Sequence, residues 1–132
     1  MHRMRSFLQN KLVRDNIVQF MEDEGQKPIY RMLNDDEYIQ ALAVKLLEES
    51  KEINIHDTST AVKELADVLE VLESLAVAFG SSLEHIQKIQ LELRAKRGGF
   101  DKRVYISRVD LQDGDKWIDY YESEPEKFKE VS

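Results

Sequence analysis

The chain has 132 residues, enough for one domain and a real core, with 42% hydrophobic residues. Its 19 basic residues against 26 acidic ones give a formal charge of −7, which argues against general nucleic-acid binding. It has no cysteine, which removes disulfides, thiolate catalysis and Cys-based zinc sites and fits a reducing compartment.

The start, Met1 to Asn10, has basic residues but no apolar stretch of the secretory kind. No apolar run approaches a membrane span, so a soluble cytoplasmic protein that binds neither membrane nor nucleic acid is expected. Residues 10–24 read as a first helix with the stripe Leu12, Val13, Ile17, Phe20 and Met21, ended by Gly25. A connector with Pro28 follows. Asn34 caps a second helix with Glu37 at the capping-box position, and that helix runs to about Ile53. The turn His56-Asp57-Thr58-Ser59 is rich in N-cap residues.

A third helix is expected from about Ser59 to Phe79, stopped by Gly80. Ser81, with Glu84 as box partner, opens a fourth helix carrying Leu83, Ile86, Ile89 and Leu93 and ending at Gly98-Gly99. Val104–Val109 and Trp117–Tyr121 are β-prone, with Asp113-Gly114 between them, and predict a β-hairpin. The reading is a single domain over 1–132: an all-α, four-helix bundle over about 8–100, then a small C-terminal β-hairpin and tail over about 101–132.

Glu48, Glu49 and Glu52, then Glu64 and Asp67, read E-E-x-x-E, an eleven-residue gap, and E-x-x-D. Acidic residues three or four apart share a helix face. Most such pairs only keep a solvated face wet. Here, at about 100° per residue, Glu49 falls inside the apolar sector of Tyr38, Ile39, Leu42, Leu46 and Ile53, and Glu52 lies at its edge. Glu64 projects between Val71 and Leu75 with Asp67 just beyond, while Glu70 and Glu73 turn to solvent. An inward carboxylate needs a partner. Glu48, Glu49 and Glu52 also stand in the last turns of their helix, where the macrodipole disfavours negative charge. Two such faces across a helical hairpin form a nest of hard oxygen ligands that suits Mg²⁺ or Mn²⁺.

Two basic constellations suggest phosphate. Lys11 and Arg14 lie one turn apart on the first helix, and Lys96-Arg97-Gly98-Gly99-Phe100 is followed by Arg103. The plain alternatives are surface charges, an Arg14–carboxylate pair, and complement to a helix C-terminus.

N-K-L-V-R-D at 10–15, K-L-L-E-E-S-K-E at 45–52, K-E-L-A-D-V-L-E-V-L at 63–72 and K-R-G-G-F at 96–100 resemble the all-α nucleoside triphosphate pyrophosphohydrolases, the MazG-like and phosphoribosyl-ATP pyrophosphohydrolase-like proteins. The resemblance covers roughly residues 8–106, and the gap between its two acidic halves is short for the family. It implies Mg²⁺-dependent cleavage between the α and β phosphates, giving a nucleoside monophosphate and pyrophosphate, in the clearance of non-canonical or excess nucleotides. Carried over, Glu49, Glu52, Glu64 and Asp67 match the metal ligands, with Glu48 the adjacent acid. Glu48 or Glu52 then orients or deprotonates the attacking water. Lys11, Arg14, Lys96, Arg97 and Arg103 are the candidates to bind phosphate and the leaving pyrophosphate.

Rival readings are phosphoribosyl-ATP hydrolysis in histidine synthesis and a non-catalytic nucleotide-binding or scaffold bundle. A di-iron site wants Glu-x-x-His on facing helices, an offset that His2, His56 and His85 do not provide. Phe7, Leu8, Val77 and Trp117 are apolar groups outside the stripes, and family members look dimeric or larger. A homodimer is therefore expected, with its base pocket near the subunit boundary and the first helix contributing.

Overall fold

The computed structural model describes residues 3–132. It contains five helices: α1 (Ile17–Asp23), α2 (Asp35–Lys51), α3 (Thr58–Ala78), α4 (Leu83–Arg97) and α5 (Ile118–Glu122). The chain divides into two compact units, Met1–Lys96 and Arg97–Ser132.

In the first unit α2 and α3 form a helical hairpin, the one pair of helices packed at close range among the described residues. Its ends are set by local chemistry. Asn34 accepts from the Glu37 N–H at 2.9 Å, and the Glu37 carboxylate accepts from the Asn34 N–H at 3.3 Å, a complete capping box. Arg31 donates to Glu37 at 2.6 Å and 3.1 Å and fixes that carboxylate from the other side. Asp57 caps α3, accepting from Ser59 N–H at 3.2 Å and Thr60 N–H at 3.3 Å.

The far end of α3 closes on Gly80, whose φ of 76° only glycine adopts without strain. That conformation lets Ser81 N–H reach Ala76 C=O at 2.8 Å and Gly80 N–H reach Val77 C=O at 2.9 Å, satisfying carbonyls the helix leaves open. The interior is small. Leu42 of α2 and Val71 and Ala76 of α3 are the buried hydrophobic residues among those described.

Three expectations need correction. The described residues form no strand, so the fold is all-α without a C-terminal β-hairpin. Asp113-Gly114 does make a turn, with Asp115 N–H on Gln112 C=O at 3.0 Å and Gly114 at φ 83°. Residues 104–109, however, have no regular structure, and Trp117 leads into α5. A strand gains its stability from a partner. Trp117, Tyr120 and Tyr121 gain theirs locally at helical spacing: Trp117 stacks edge-on to Tyr120 at 5.7 Å, and Phe128 meets Tyr121 at 4.9 Å and Tyr120 at 5.6 Å.

The second correction concerns α1, which begins at Ile17 instead of Asn10. Residues 12–14 are irregular, and Asn10 takes a left-handed φ of 49°. Asp15 and Asn16 favour turn and cap positions over helix interior, and they hold the start back. The third is the opening of α4. Ser82, not Ser81, accepts from the His85 N–H at 3.1 Å, and the Ser81 hydroxyl is buried without a partner.

Gly80→Ala should lower the stability of the first unit by about 1 kcal/mol, the cost of a left-handed L-residue. Asn34→Ala should cost about 1 kcal/mol through its lost cap. Thermal melts followed by circular dichroism check both.

Candidate functional site

The motif carboxylates lie where α2 ends and α3 begins. Glu48 and Glu49 occupy the last turn of α2, and Glu52 is its C-cap residue, exposed, with its N–H on Glu49 C=O at 3.2 Å. Glu64 and Asp67 follow in the second and third turns of α3. The short connection, 52–57, therefore brings both acidic halves to one end of the packed helix pair. Glu49 is well covered, its side chain 12% exposed; Glu48, Glu64 and Asp67 are half-buried, and Glu52 is exposed. Glu70 and Glu73 are exposed.

Each covered carboxylate has a protein partner. Glu64 Oε1 accepts from the Asn54 backbone N–H at 2.9 Å, which ties α3 to the chain leaving α2. Lys45, one turn before the acids, places Nζ 3.5 Å from both Glu48 Oε2 and Glu49 Oε1. Its side chain is 19% exposed. Asp67 Oδ1 accepts from Arg14 Nη2 at 2.8 Å, a charge-assisted contact that docks the segment before α1 onto α3.

Carboxylate oxygens are the right donors for a hard divalent cation. Among the described residues, however, no three acidic or histidine side chains converge closely enough to hold a metal ion. The donor chemistry fits Mg²⁺ or Mn²⁺; the side-chain placement does not. The acids stand near one another in the fold while their charges are spent on Lys45, Arg14 and a backbone N–H.

The basic residues are dispersed. Lys11 is exposed at a bend, and Lys11 and Arg14 do not share a helix turn, because α1 starts after them. Lys96, near the end of α4, lines a shallow open recess with Ile89, Glu92, Leu93 and Ala95. Arg97 and Arg103 belong to the second unit. Arg103 adopts a left-handed φ of 58°, and its N–H bonds Phe100 C=O at 3.0 Å, closing a turn after the two glycines.

Two participants were not singled out from the sequence. Lys45 could have been, since a lysine three and four residues before two glutamates is a helix-pair pattern. The Asn54 N–H could not, because a backbone donor leaves no mark in residue identity.

No family model matches the chain, and no solved structure matches it. A protein of Mycolicibacterium smegmatis (strain ATCC 700084 / mc(2)155), described as an uncharacterized protein, is 44% identical over 54 residues. The match covers 41% of this chain and 55% of that protein, so the chain spans about half of that relative's length.

The turn beside the acidic end carries a pH dependence. Hydrogen bonds from the Thr60 N–H, and then from Ser59, hold the Asp57 carboxyl below the usual carboxylate range. The Arg31 guanidinium, and then the Asn34 N–H, do the same for Glu37. Both folded values lie below the unfolded ones. Their stabilisation is present above the ordinary carboxylate range and is lost as pH falls through the depressed values. Acid titration of helicity should therefore show a loss that shrinks in Asp57→Asn, which keeps an acceptor but has no proton to gain.

Proposed function

We propose that this chain is a divalent-metal-dependent nucleoside triphosphate pyrophosphohydrolase, releasing pyrophosphate and a nucleoside monophosphate. The observation that carries the reading is the gathering of E-E-x-x-E and E-x-x-D at one end of the α2–α3 hairpin, with Glu49 covered and Glu64 bonded to Asn54 across the connection. Carboxylates at the C-terminal end of a helix are disfavoured by its dipole, and among the described residues Lys45 alone faces both Glu48 and Glu49 there.

Glu49, Glu52, Glu64 and Asp67 are the residues that would hold a divalent cation, Mg²⁺ or Mn²⁺, which would supply charge neutralisation at the phosphates. The chain's own residues have separable parts. Glu52, exposed at the α2 C-cap, or Glu48 would orient or accept a proton from water. Lys11 and Arg14 in the segment before α1, and Lys96 at the end of α4, offer cations to phosphate oxygens. The substrate class is a non-canonical or excess nucleotide, and the setting is the cytoplasm. Among the described residues no helix is long and apolar enough to cross a membrane.

The unconverged acids favour a second reading, a non-catalytic nucleotide-binding chain that retains the acidic hairpin. One assay separates the two. Purified protein is given canonical, deoxy and damaged nucleoside triphosphates and phosphoribosyl-ATP, with Mg²⁺ or with excess chelator. Pyrophosphate should appear only with metal, and Asp67→Asn or Glu49→Gln should lower the rate on the order of 10²-fold, the size of losing one charge-stabilising group. Nucleotide binding without turnover selects the second reading, and orthophosphate with a diphosphate as products would mean a different bond is broken.

The chain is also proposed to act as a homodimer. Val62, Leu65, Leu69 and Leu72 recur at heptad-like spacing along α3 and are exposed, as are Phe7, Leu8, Val77 and Trp117. A second copy is the occupant that would cover a stripe of this length beside so small an interior. The base pocket would then lie near the subunit boundary. Light scattering at micromolar concentration should give the dimer mass, and Leu69→Glu should give the monomer.

A further inference from the structure

Helix α4 has an apolar row with no helix against it. Ile86, Ile89 and Leu93 stand at i, i+3 and i+7 and are 41%, 41% and 42% exposed. Among the described residues α4 packs closely on no other helix, not even α3, from which residues 79–82 separate it. A link of that length is short enough for an antiparallel helical hairpin. Its hydrogen bonds are nevertheless complete with α4 standing off. Gly80 N–H and Ser81 N–H close the end of α3, and Ser82 Oγ accepts from His85 N–H at the start of α4.

The matching face is on α3. Leu65, Leu69 and Leu72 stand at i, i+4 and i+7 and are 52%, 47% and 39% exposed. With α4 laid antiparallel on an α3, its start opposite the end of α3, the two rows coincide. Ile89 then falls opposite Leu72, Leu93 opposite Leu69 and Lys96 opposite Leu65. Both rows have the alternating three- and four-residue steps of a helical seam. Charge favours the same direction. Between Glu64 and Glu73, α3 carries Glu64, Asp67, Glu70 and Glu73 and no base, whereas α4 from Lys88 on carries Lys88, Arg94 and Lys96 against Glu92. Antiparallel packing lays the basic half of one helix on the acidic half of the other. The area to be covered is large. The chain exposes 12884 Å², where a folded monomer of its mass exposes about 7,200 Å². Irregular segments take part of that surplus, and obligate homodimer interfaces cover about 2,000–5,000 Å².

We propose that α4 is exchanged between two copies of this chain. The α4 of each copy lies antiparallel on the α3 of the other, seating Ile89 and Leu93 on Leu72 and Leu69 of the partner subunit. Lys96 is thereby delivered to the acidic end of the partner's hairpin, so each candidate site takes a residue from the other copy. The inference rests on the homodimer reading and adds which element crosses, in which direction and in which register. Exchange of an identical element is a low-cost route to a closed two-fold dimer.

The chain has no cysteine, so introduced cysteines report the pairing directly. Full-length chain carrying Leu69→Cys is co-expressed with tagged full-length chain carrying Leu93→Cys, and the mixture is oxidised. A disulfide-linked heterodimer should be the main covalent species, because the exchange brings those two positions together and holds each away from its own copy. Leu72→Cys with Ile89→Cys is the second pair and serves if the first loses helicity by circular dichroism. Self-linking of Leu69→Cys alone would mean that two α3 helices face each other, and it overturns the exchange while the homodimer stands. An internal disulfide in the doubly substituted chain at monomer mass would mean that α4 closes on its own α3, which also overturns the exchange. Dimer mass without a link in either pair does the same. Monomer mass for the unsubstituted chain overturns the exchange and the homodimer together.

Discussion

Like charges gathered at one end of a helix pair repel one another, and the arrangement of the first unit answers that repulsion. Packing α2 on α3 across a short connection places Glu48, Glu49, Glu52, Glu64 and Asp67 together at the connection end. Three of the five sit where the α2 dipole adds to the cost. Lys45, Arg14 and the Asn54 N–H are the groups that offset it, each by direct contact with a carboxylate oxygen. The segment before α1 is held to α3 through one of those contacts, so local electrostatics also decide where part of the chain lies.

The same contacts relate structure to the proposed chemistry. A site that binds a cation and a polyphosphate has to remain soluble and folded when neither is present. Protein cations can keep such a site neutral enough, provided they are weakly held where the ligand must enter. Here the covered Lys45 pairs with Glu48 and Glu49, and the more exposed Arg14 pairs with Asp67. At 44% exposure the Asp67 side chain retains water on its other flank.

The small interior carries its own consequence. With Leu42, Val71 and Ala76 as the buried hydrophobic residues among those described, hairpin packing alone covers little apolar surface. Capping contributes a larger share of the definition of these helices than it would in a thick core. The box at Asn34–Glu37, the Asp57 cap and the left-handed Gly80 each fix an end of α2 or α3. Of these, the Asp57 cap stands at the connection end with the acids, while the Asn34–Glu37 box and Gly80 fix the opposite ends of the two helices.

Residue identity alone determined the parts of this protein whose causes are local. Asn34 with Glu37, Asp57 in its turn and Gly80 after Ala78 announce the ends of α2 and α3, since cap hydrogen bonds span only three or four residues. The inward position of Glu49 followed from helical spacing against Tyr38 and Leu42 for the same reason. Partner choice was not local. Val104–Val109 reads as a strand by composition, but a strand needs a second strand, and Trp117, Tyr120 and Tyr121 instead joined Phe128 through a helix whose i, i+3, i+4 spacing was present in the sequence and outweighed by β-propensity. Nor could spacing say that Arg14 would meet Asp67, or Glu64 the Asn54 N–H, since those contacts exist only once α3 has folded back on α2. Tertiary structure decided which charge neutralises which, because a carboxylate pairs with whatever donor the packed chain brings within about 3 Å of it.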